Sequence, residues 1–275
     1  MLEQITYKNH LNEVFEFGKN GIFADENELR NYEWTVQKKG NRISALEYAV
    51  QRRKLPIVII CSTEAEGIAA RNRLFEVAEK DALALKYGQI IIGDYYFRCF
   101  ITKSQKKEYL KTKRFLTLTL TLTTDRPYWI KETAYSFLPQ VATYAAGKIS
   151  DYPMNYPMDY HTEAASTELL NGGFVDTNFR MVIYGPASNP VVYIGGHAYR
   201  VNCEIEQAEY LTIDSAAKTI VLTAVDGATT NQFNLRDRAS YVFRKIPPGS
   251  NEVSWDGSFG FDIILLEERS EPKWT

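Results

Sequence analysis

Phe115-Leu-Thr-Leu-Thr-Leu-Thr-Leu-Thr123 is the stretch of this sequence that decides the fold. Four leucines alternate with four threonines, so a β-strand would place every leucine on one face and every threonine on the other. Such a strand requires a sheet with one side on an apolar core. The threonine side then faces solvent or a neighbouring subunit. We therefore predict a mainly β protein.

One segment before this strand has a different pattern. Thr63 and Glu66 have the spacing of a capping box, in which the two side chains satisfy the first backbone amides of a helix. The residues that follow are apolar at helical intervals: Ile68, Leu74, Phe75 and Ala78. The sequence therefore predicts one substantial helix at residues 64–80, with these four side chains on the core.

The second half of the chain reads as short strands separated by turns. Residues 191–194, then Gly195-Gly196, then residues 197–201 predict a hairpin with a two-residue turn. Repeated turns of this kind are typical of a β-sandwich or jelly roll. Tyrosine alternates with proline at residues 151–160, which excludes a helix there. We predict domains at residues 1–139 and 162–275, joined by a Tyr/Pro-rich connector at 140–161.

Composition and charge exclude several classes of protein. The net charge of −2 divides into +5 for residues 1–139, with 22 Lys and Arg against 17 Asp and Glu, and −7 for the rest, with 10 against 17. Neither half is basic enough for nucleic-acid recognition. No apolar run is long enough to cross a membrane, and the first residues do not form a signal peptide. We expect a protein that stays in the cytoplasm where it is made, or that leaves only as part of a released particle.

The residues that usually carry catalysis or bind metals are scattered. The three histidines, His10, His161 and His197, have no ligand-like neighbours in sequence, and the three cysteines are far apart. The sequence lacks the nucleophile-elbow, dinucleotide-binding and P-loop motifs. We predict no enzyme activity, no metal and no cofactor.

Three aromatic residues could form a carbohydrate-binding platform. Tyr193 and Tyr199 flank the predicted Gly-Gly turn, and Trp255 precedes the Asp256-Gly257 turn. Aromatic rings of a β-sandwich can stack on sugars, but they more commonly lie in the core. Both possibilities stay open at this point.

Short motifs along the whole chain resemble the distal tail protein (Dit) family of long-tailed bacteriophages. The motifs that carry the resemblance are Ile5-Thr-Tyr-Lys-Asn-His10, Asn31-Tyr-Glu-Trp34, Phe75-Glu-Val-Ala-Glu-Lys-Asp81, Gly93-Asp-Tyr-Tyr96, Thr124-Asp-Arg-Pro-Tyr-Trp129, the Tyr/Pro run, Asn189-Pro190, Ile213-Asp-Ser215, Ile246-Pro-Pro-Gly249 and Glu268-Arg-Ser-Glu-Pro-Lys-Trp274. Each motif is weak alone, and their order along the chain is specific.

This resemblance implies a tail-tube-like β-sandwich with one α-helix, followed by a galectin-like β-sandwich or jelly roll. It implies a homohexameric ring at the tail tip, a baseplate hub of the virion that is assembled in the bacterial host cytoplasm. The implied partners are the major tail tube protein, a tail-associated lysin or tail fibre protein, and receptor-binding proteins. The alternative is a carbohydrate-binding adhesion module that acts through the galectin-like half.

A ring needs a contact between subunits, because cyclic symmetry covers each exposed strand edge with the next copy. Residues 37–54 are polar and basic and lie between two strands. They predict a loop that either crosses onto a neighbouring subunit or is an ordinary surface loop. The candidate contact residues are Lys38, Lys39, Gly40, Asn41, Arg42, Arg52, Arg53 and Lys54.

Overall fold

A computed structural model of the chain describes residues 4–19, 21–107, 114–140 and 168–274. The chain divides into two compact units, Met1–Lys131 with Glu268–Thr275, and Glu132–Glu267. The predicted connector lies outside the described residues except for Gln140. The first unit thus ends at Lys131 and not at residue 139, and it includes the last residues of the chain, Glu268–Thr275. The strand Trp129–Phe137 begins in the first unit and ends in the second.

The first unit contains most of the long strands and one helix. Its strands are β1 (Ile5–Lys8), β2 (Val14–Phe17), β3 (Ile22–Ala24), β4 (Thr35–Lys39), β5 (Arg42–Glu47), β6 (Gln51–Ile60), β7 (Gly88–Ile92), β8 (Tyr95–Lys107), β9 (Phe115–Thr124) and β10 (Trp129–Phe137), of which the last continues into the second unit. The neighbouring strands follow the order β10-β8-β7-β1-β2, and β9 joins β8 to β6 and β3. All described pairings are antiparallel.

Strand β9 has the two faces that its sequence predicts. Leu116, Leu118, Leu120 and Leu122 are buried, whereas the alternating threonines from Thr117 to Thr123 are half-buried. The leucines belong to one apolar core with side chains from β1, β2, β6, β7, β8 and the helix. The mainly β fold is therefore confirmed for the described residues, and the core of the first unit forms on the leucine face of β9.

The helix α1 (Glu64–Ala84) begins at the predicted cap and runs one turn beyond the predicted end. Thr63 accepts a hydrogen bond from the Glu66 amide, and the Glu66 side chain accepts from the Thr63 amide, so the capping box is formed. The predicted core stripe is half wrong. Leu74 and Ala78 are buried, but Ile68 and Phe75 are 41% and 58% exposed.

The second unit is built from short strands around a separate core. They are β11 (Glu168–Asn171), β12 (Asn178–Tyr184), β13 (Ala187–Ser188), β14 (Val191–Ile194), β15 (His197–Arg200), β16 (Glu204–Ile205), β17 (Tyr210–Asp214), β18 (Thr219–Thr223), β19 (Thr229–Asn231), β20 (Gly249–Ser254) and β21 (Phe261–Arg269), whose end returns to the first unit. One set of strands has the order β19-β18-β17-β12-β21 and the other β11-β20-β14-β15. This arrangement is consistent with a β-sandwich.

The predicted Gly-Gly hairpin is present in the second unit. Ile194 pairs with His197, and both Gly195 and Gly196 have positive φ, as the two central residues of a type I′ turn require. No helix of the described part of the chain combines the length and the apolar character needed to span a bilayer.

Candidate functional site

Five of the predicted contact residues lie at the tip of a β-hairpin. Lys38 and Lys39 end β4, Arg42 begins β5, and Gly40 and Asn41 form the turn between them. Gly40 has φ of +62°, which suits the first turn position of a two-residue hairpin and favours glycine. The prediction of a loop is therefore wrong, because residues 37–47 are held by a cross-strand ladder and residues 51–54 begin β6.

Both faces of this hairpin are open to solvent. Strands β4 and β5 form a separate two-stranded sheet, and every residue of the two strands is exposed. A two-stranded hairpin is marginally stable in water without further packing. The hairpin is therefore a pair of strands that gets little support from the rest of its unit beyond its base.

The two faces of the hairpin differ in polarity. Val36 lies opposite Leu46 and Lys38 lies opposite Ile43, so these four side chains share one face. Val36, Ile43 and Leu46 are 44%, 65% and 52% exposed, and together we call them the apolar face of the hairpin. The opposite face carries Thr35, Gln37, Lys39, Arg42, Ala45 and Glu47. An exposed apolar patch with a polar rim is typical of an interaction site.

Aromatic side chains hold the base of the hairpin. Trp34 and Tyr48, which precede β4 and follow β5, stack with ring centroids 4.0 Å apart. Tyr48 also packs edge-on against Tyr128 at 4.6 Å, and its hydroxyl hydrogen-bonds to Ser270. Burial raises the pKa of the Tyr48 phenol above its ordinary value. The base is thus fixed to the first unit while the strands remain exposed.

Arg53 does not belong with the other candidate contact residues. Arg52 and Lys54 are exposed on β6, whereas Arg53 is 2% exposed. Its guanidinium donates to the backbone oxygen of Leu29 at 2.5 Å and lies 4.4 Å from the centre of the Phe97 ring. Burial lowers the pKa of Arg53 to about 10, so the group stays charged at neutral pH. Strand alternation turns this side chain into the interior of its own unit.

The three aromatic residues that were candidates for a sugar platform are not exposed together. Tyr193 is 39% exposed, but Tyr199 is 1% exposed and its hydroxyl donates to the backbone oxygen of Arg244 at 2.8 Å. Trp255 is half-buried against the core, and its indole donates to the backbone oxygen of Phe259 at 2.9 Å. Tyr199 and Trp255 are therefore core residues with satisfied polar groups.

The histidines are held separately by local partners. The ring of His10 hydrogen-bonds to the buried carboxylate of Asp81 at 2.5 Å in the first unit. In the second unit, His197 lies 3.0 Å from the backbone oxygen of Tyr241 and 3.3 Å from Arg244. His161 lies outside the described residues. Within the described ranges, no three His, Cys, Asp or Glu side chains are grouped as a metal site would need.

A surface groove of about 1810 Å³ lies in the first unit beside the last residues of the chain. Arg30, Asp94 and Trp274 are among its lining residues. Arg30 lies 3.8 Å from the centre of the Trp274 ring, and Asp94 forms an ion pair with Lys131 at 2.8 Å. That ion pair lowers the pKa of Asp94. The contact of Arg30 with Trp274 holds the end of the chain against the first unit. These lining residues present no arranged pair of acid and base.

Two surfaces were not predicted from the sequence: the apolar face of the hairpin and the exposed side of α1. No alternation in the sequence marks the apolar face of the hairpin. Ile43 and Leu46 are three residues apart, and they share a face only because a β-bulge lies between them.

No protein-family model matches the chain, and no curated protein sequence matches it. Solved structures of phage tail hubs and baseplates do match. The chain is similar to the SPP1 Dit protein, described as a hub of the adsorption apparatus in phages that infect Gram-positive bacteria, with a TM-score of 0.59 and 11% identity over 98% of this chain and 100% of that one.

Chains of the phage P2 baseplate in its activated conformation, with Ca and with Sr, have a TM-score of 0.63 and 11% identity. The alignment covers 99% of this chain and 100% of each of those chains. The protein therefore has the fold of phage Dit and baseplate proteins along nearly its whole length.

Proposed function

We propose that this protein is a structural component of a phage tail tip, a hexameric ring that forms the hub between the tail tube and the baseplate. The observation that carries the proposal is the fold shared with Dit and baseplate chains over at least 98% of this chain. The number six comes from the resemblance of the sequence motifs to distal tail proteins. The first unit is the ring-forming domain in this proposal, and the second is a galectin-like domain.

The exposed hairpin supports self-assembly. Its apolar face would be buried on a neighbouring copy, and a head-to-tail contact repeated around an axis closes a ring. Lys38, Lys39, Gly40, Asn41 and Arg42 are then subunit-contact residues, and the exposed Arg52 and Lys54 are retained as candidates. Arg53 is removed from this set because it is buried within its own subunit.

The proposed partners are other components of the same particle. The ring would bind the major tail tube protein on one side and a tail-associated lysin or tail fibre protein on the other, and the galectin-like domain would carry receptor-binding proteins. The site of action is the virion, after assembly in the bacterial host cytoplasm. The role is structural: we propose no enzyme activity, no cofactor, no membrane contact and no nucleic-acid recognition.

The alternative, a carbohydrate-binding adhesion module, has weaker support. Of its three candidate aromatic residues, Tyr199 is buried and Trp255 packs on the core, which leaves Tyr193 as the exposed ring. A single exposed tyrosine is a small platform for a sugar. The ring is therefore the function that we favour.

Negative-stain electron microscopy combined with light scattering tests the ring. We expect hollow rings with a mass of six times the 31.5 kDa chain, or twice that for paired rings. Replacing Leu46 by Ser should lower the assembled fraction, whereas Val225→Ser, which changes a 73% exposed residue of the second unit, should not. A monodisperse monomer at every concentration, alone and with the tail tube protein of the same particle, would contradict the proposal.

A further inference from the structure

The helix α1 is apolar on two sides. Leu74, Val77 and Ala78 are buried against the core of the first unit. On the other side, Ile68, Phe75 and Leu83 are 41%, 58% and 81% exposed. At about 100° per residue around the helix axis, Phe75 lies about 20° from Ile68 and Leu83 lies about 60° from Ile68. These three residues form one apolar strip, which we call the outer strip of α1.

The outer strip has an acidic border. Glu76 and Glu79 are exposed and lie on the same side of the helix as the strip. The three basic residues of the helix bond to other parts of the first unit: Arg71 donates to the backbone oxygen of Phe115 at 2.9 Å and Arg73 to that of Val14 at 3.0 Å. Lys80 pairs with Glu13 at 2.6 Å. The last turn contains no basic side chain, so nothing within it offsets the negative end of the helix dipole. The strip therefore complements an apolar surface that carries positive charge.

We propose that the outer strip of α1 binds the β4–β5 hairpin of a second copy of this chain. The hairpin offers the matching chemistry, since Lys38 lies on its apolar face and the tip beside that face carries Lys39 and Arg42. The hairpin and the strip are both exposed within one copy, so each can be covered by another copy. This inference rests on the proposed self-assembly and adds the surface that receives the hairpin.

The outer strip of α1 is long enough to receive both apolar residues of β5. Ile43 and Leu46 lie opposite Lys38 and Val36, which are two residues apart on β4, so a β-bulge brings Ile43 and Leu46 to about 7 Å apart along the strand, at about 3.4 Å per residue. Ile68 and Phe75 are seven residues apart on a helix, about 10.5 Å at about 1.5 Å per residue. With Ile43 on Phe75 and Leu46 directed toward Ile68, the basic tip of the hairpin extends toward Glu79 and the negative end of the helix.

Reversing the charges of one surface at a time tests the electrostatic attraction between the hairpin and the outer strip. We expect Lys38→Glu with Arg42→Glu, and separately Glu76→Lys with Glu79→Lys, to raise the protein concentration for half-assembly by about tenfold, because the hairpin tip and the end of α1 then carry charges of the same sign. A protein that carries all four substitutions should assemble nearly as the original does. Circular dichroism checks that every variant is folded. If the original chain forms rings and both paired variants assemble equally well, the contact between the hairpin and the outer strip is wrong. The ring itself would still stand.

A disulfide trap tests the same contact without requiring a closed ring. Ile43→Cys and Phe75→Cys proteins are mixed under mild oxidation, and the described native thiols Cys61, Cys99 and Cys203 are buried. We expect a covalent dimer in the mixture at a yield several times that of Phe75→Cys mixed with Val225→Cys. Equal yields in the two mixtures would overturn the proposal, whether or not rings are seen by microscopy.

Discussion

Three consecutive basic residues on β6 should respond very differently to truncation. Arg52 and Lys54 are exposed, and Arg53 between them is buried. We expect Arg53→Ala to destabilise the first unit by about 2–4 kcal/mol and Arg52→Ala by less than about 0.5 kcal/mol, which is usual for a surface position. The reason is that only Arg53 is bound inside the subunit.

The magnitude follows from the contacts of the guanidinium. Arg53 donates to the backbone oxygens of Leu29 at 2.5 Å and Pro127 at 3.4 Å and lies over the Phe97 ring. A hydrogen bond from a charged donor contributes about 1.5–3 kcal/mol, and a partly desolvated cation–π contact about 0.5–2 kcal/mol. Alanine removes the desolvation cost of burying a charged group, and this gain offsets part of the loss. Arg53→Lys, which keeps the charge but cannot reproduce the fork of donors, should lie between the two alanine variants.

Urea unfolding followed by tryptophan fluorescence measures the difference. Trp34, Trp129 and Trp274 lie in the first unit and Trp255 lies in the second, so a Trp255→Phe background makes the fluorescence report the first unit. The comparison uses the midpoints of variants in this one background, because a chain of two units need not unfold in one step. Equal midpoints for Arg53→Ala and Arg52→Ala would refute the assignment of Arg53 to the interior.

Two further predictions concern buried polar groups. Gly88→Ala should lower the free energy of unfolding by about 1–3 kcal/mol or prevent folding, because a Cβ there would lie 2.2 Å from a carboxylate oxygen of Asp81 and 2.3 Å from the Tyr7 hydroxyl. Gly172→Ala is the control: a Cβ at Gly172 meets open space, so the melting temperature should not change. Burial raises the pKa of Tyr7 and of Tyr199 above that of a free tyrosine, near 10. The neutral phenols therefore stabilise the fold fully below about pH 10, and each should lose about 1.4 kcal/mol per pH unit above it. Urea titrations from pH 8 to 11 measure this slope, which should decrease in Tyr7→Phe, and stability independent of pH over this range would contradict the reasoning.

Strand β9 and the Gly-Gly hairpin could be predicted because their signals are local. Alternation of period two allows one burial pattern, and the pair Gly195 and Gly196 suits one class of turn. The capping box of Thr63 and Glu66 is local in the same sense, so the start of α1 could be predicted to the residue. Packing decides the remaining features, and a single sequence contains no direct record of packing.

Arg53 and Tyr199 illustrate what packing decides. Arginine in a basic run usually lies at the surface, but strand alternation turns Arg53 inward, where the backbone oxygens of Leu29 and Pro127 accept its hydrogen bonds. A tyrosine beside a turn can lie on either side of a sheet. The backbone oxygen of Arg244, distant in sequence, satisfies the Tyr199 hydroxyl in the core. Both outcomes depend on contacts with residues far along the chain.

The helix shows why an interface is harder to predict than a core. A search for one apolar stripe assigns every apolar residue of α1 to the same face, so Ile68 and Phe75 were grouped with Leu74 and Ala78. The structure separates these four residues onto two sides of the helix, of which one packs on the core and one is exposed. A helix that buries one side in its own subunit and another on a neighbour has apolar residues around most of its circumference, and its periodic signal is weak. A weak amphipathic pattern in a well-capped helix is therefore evidence for a second contact. In α1, the exposed Phe75 is the residue at which that contact should be sought first.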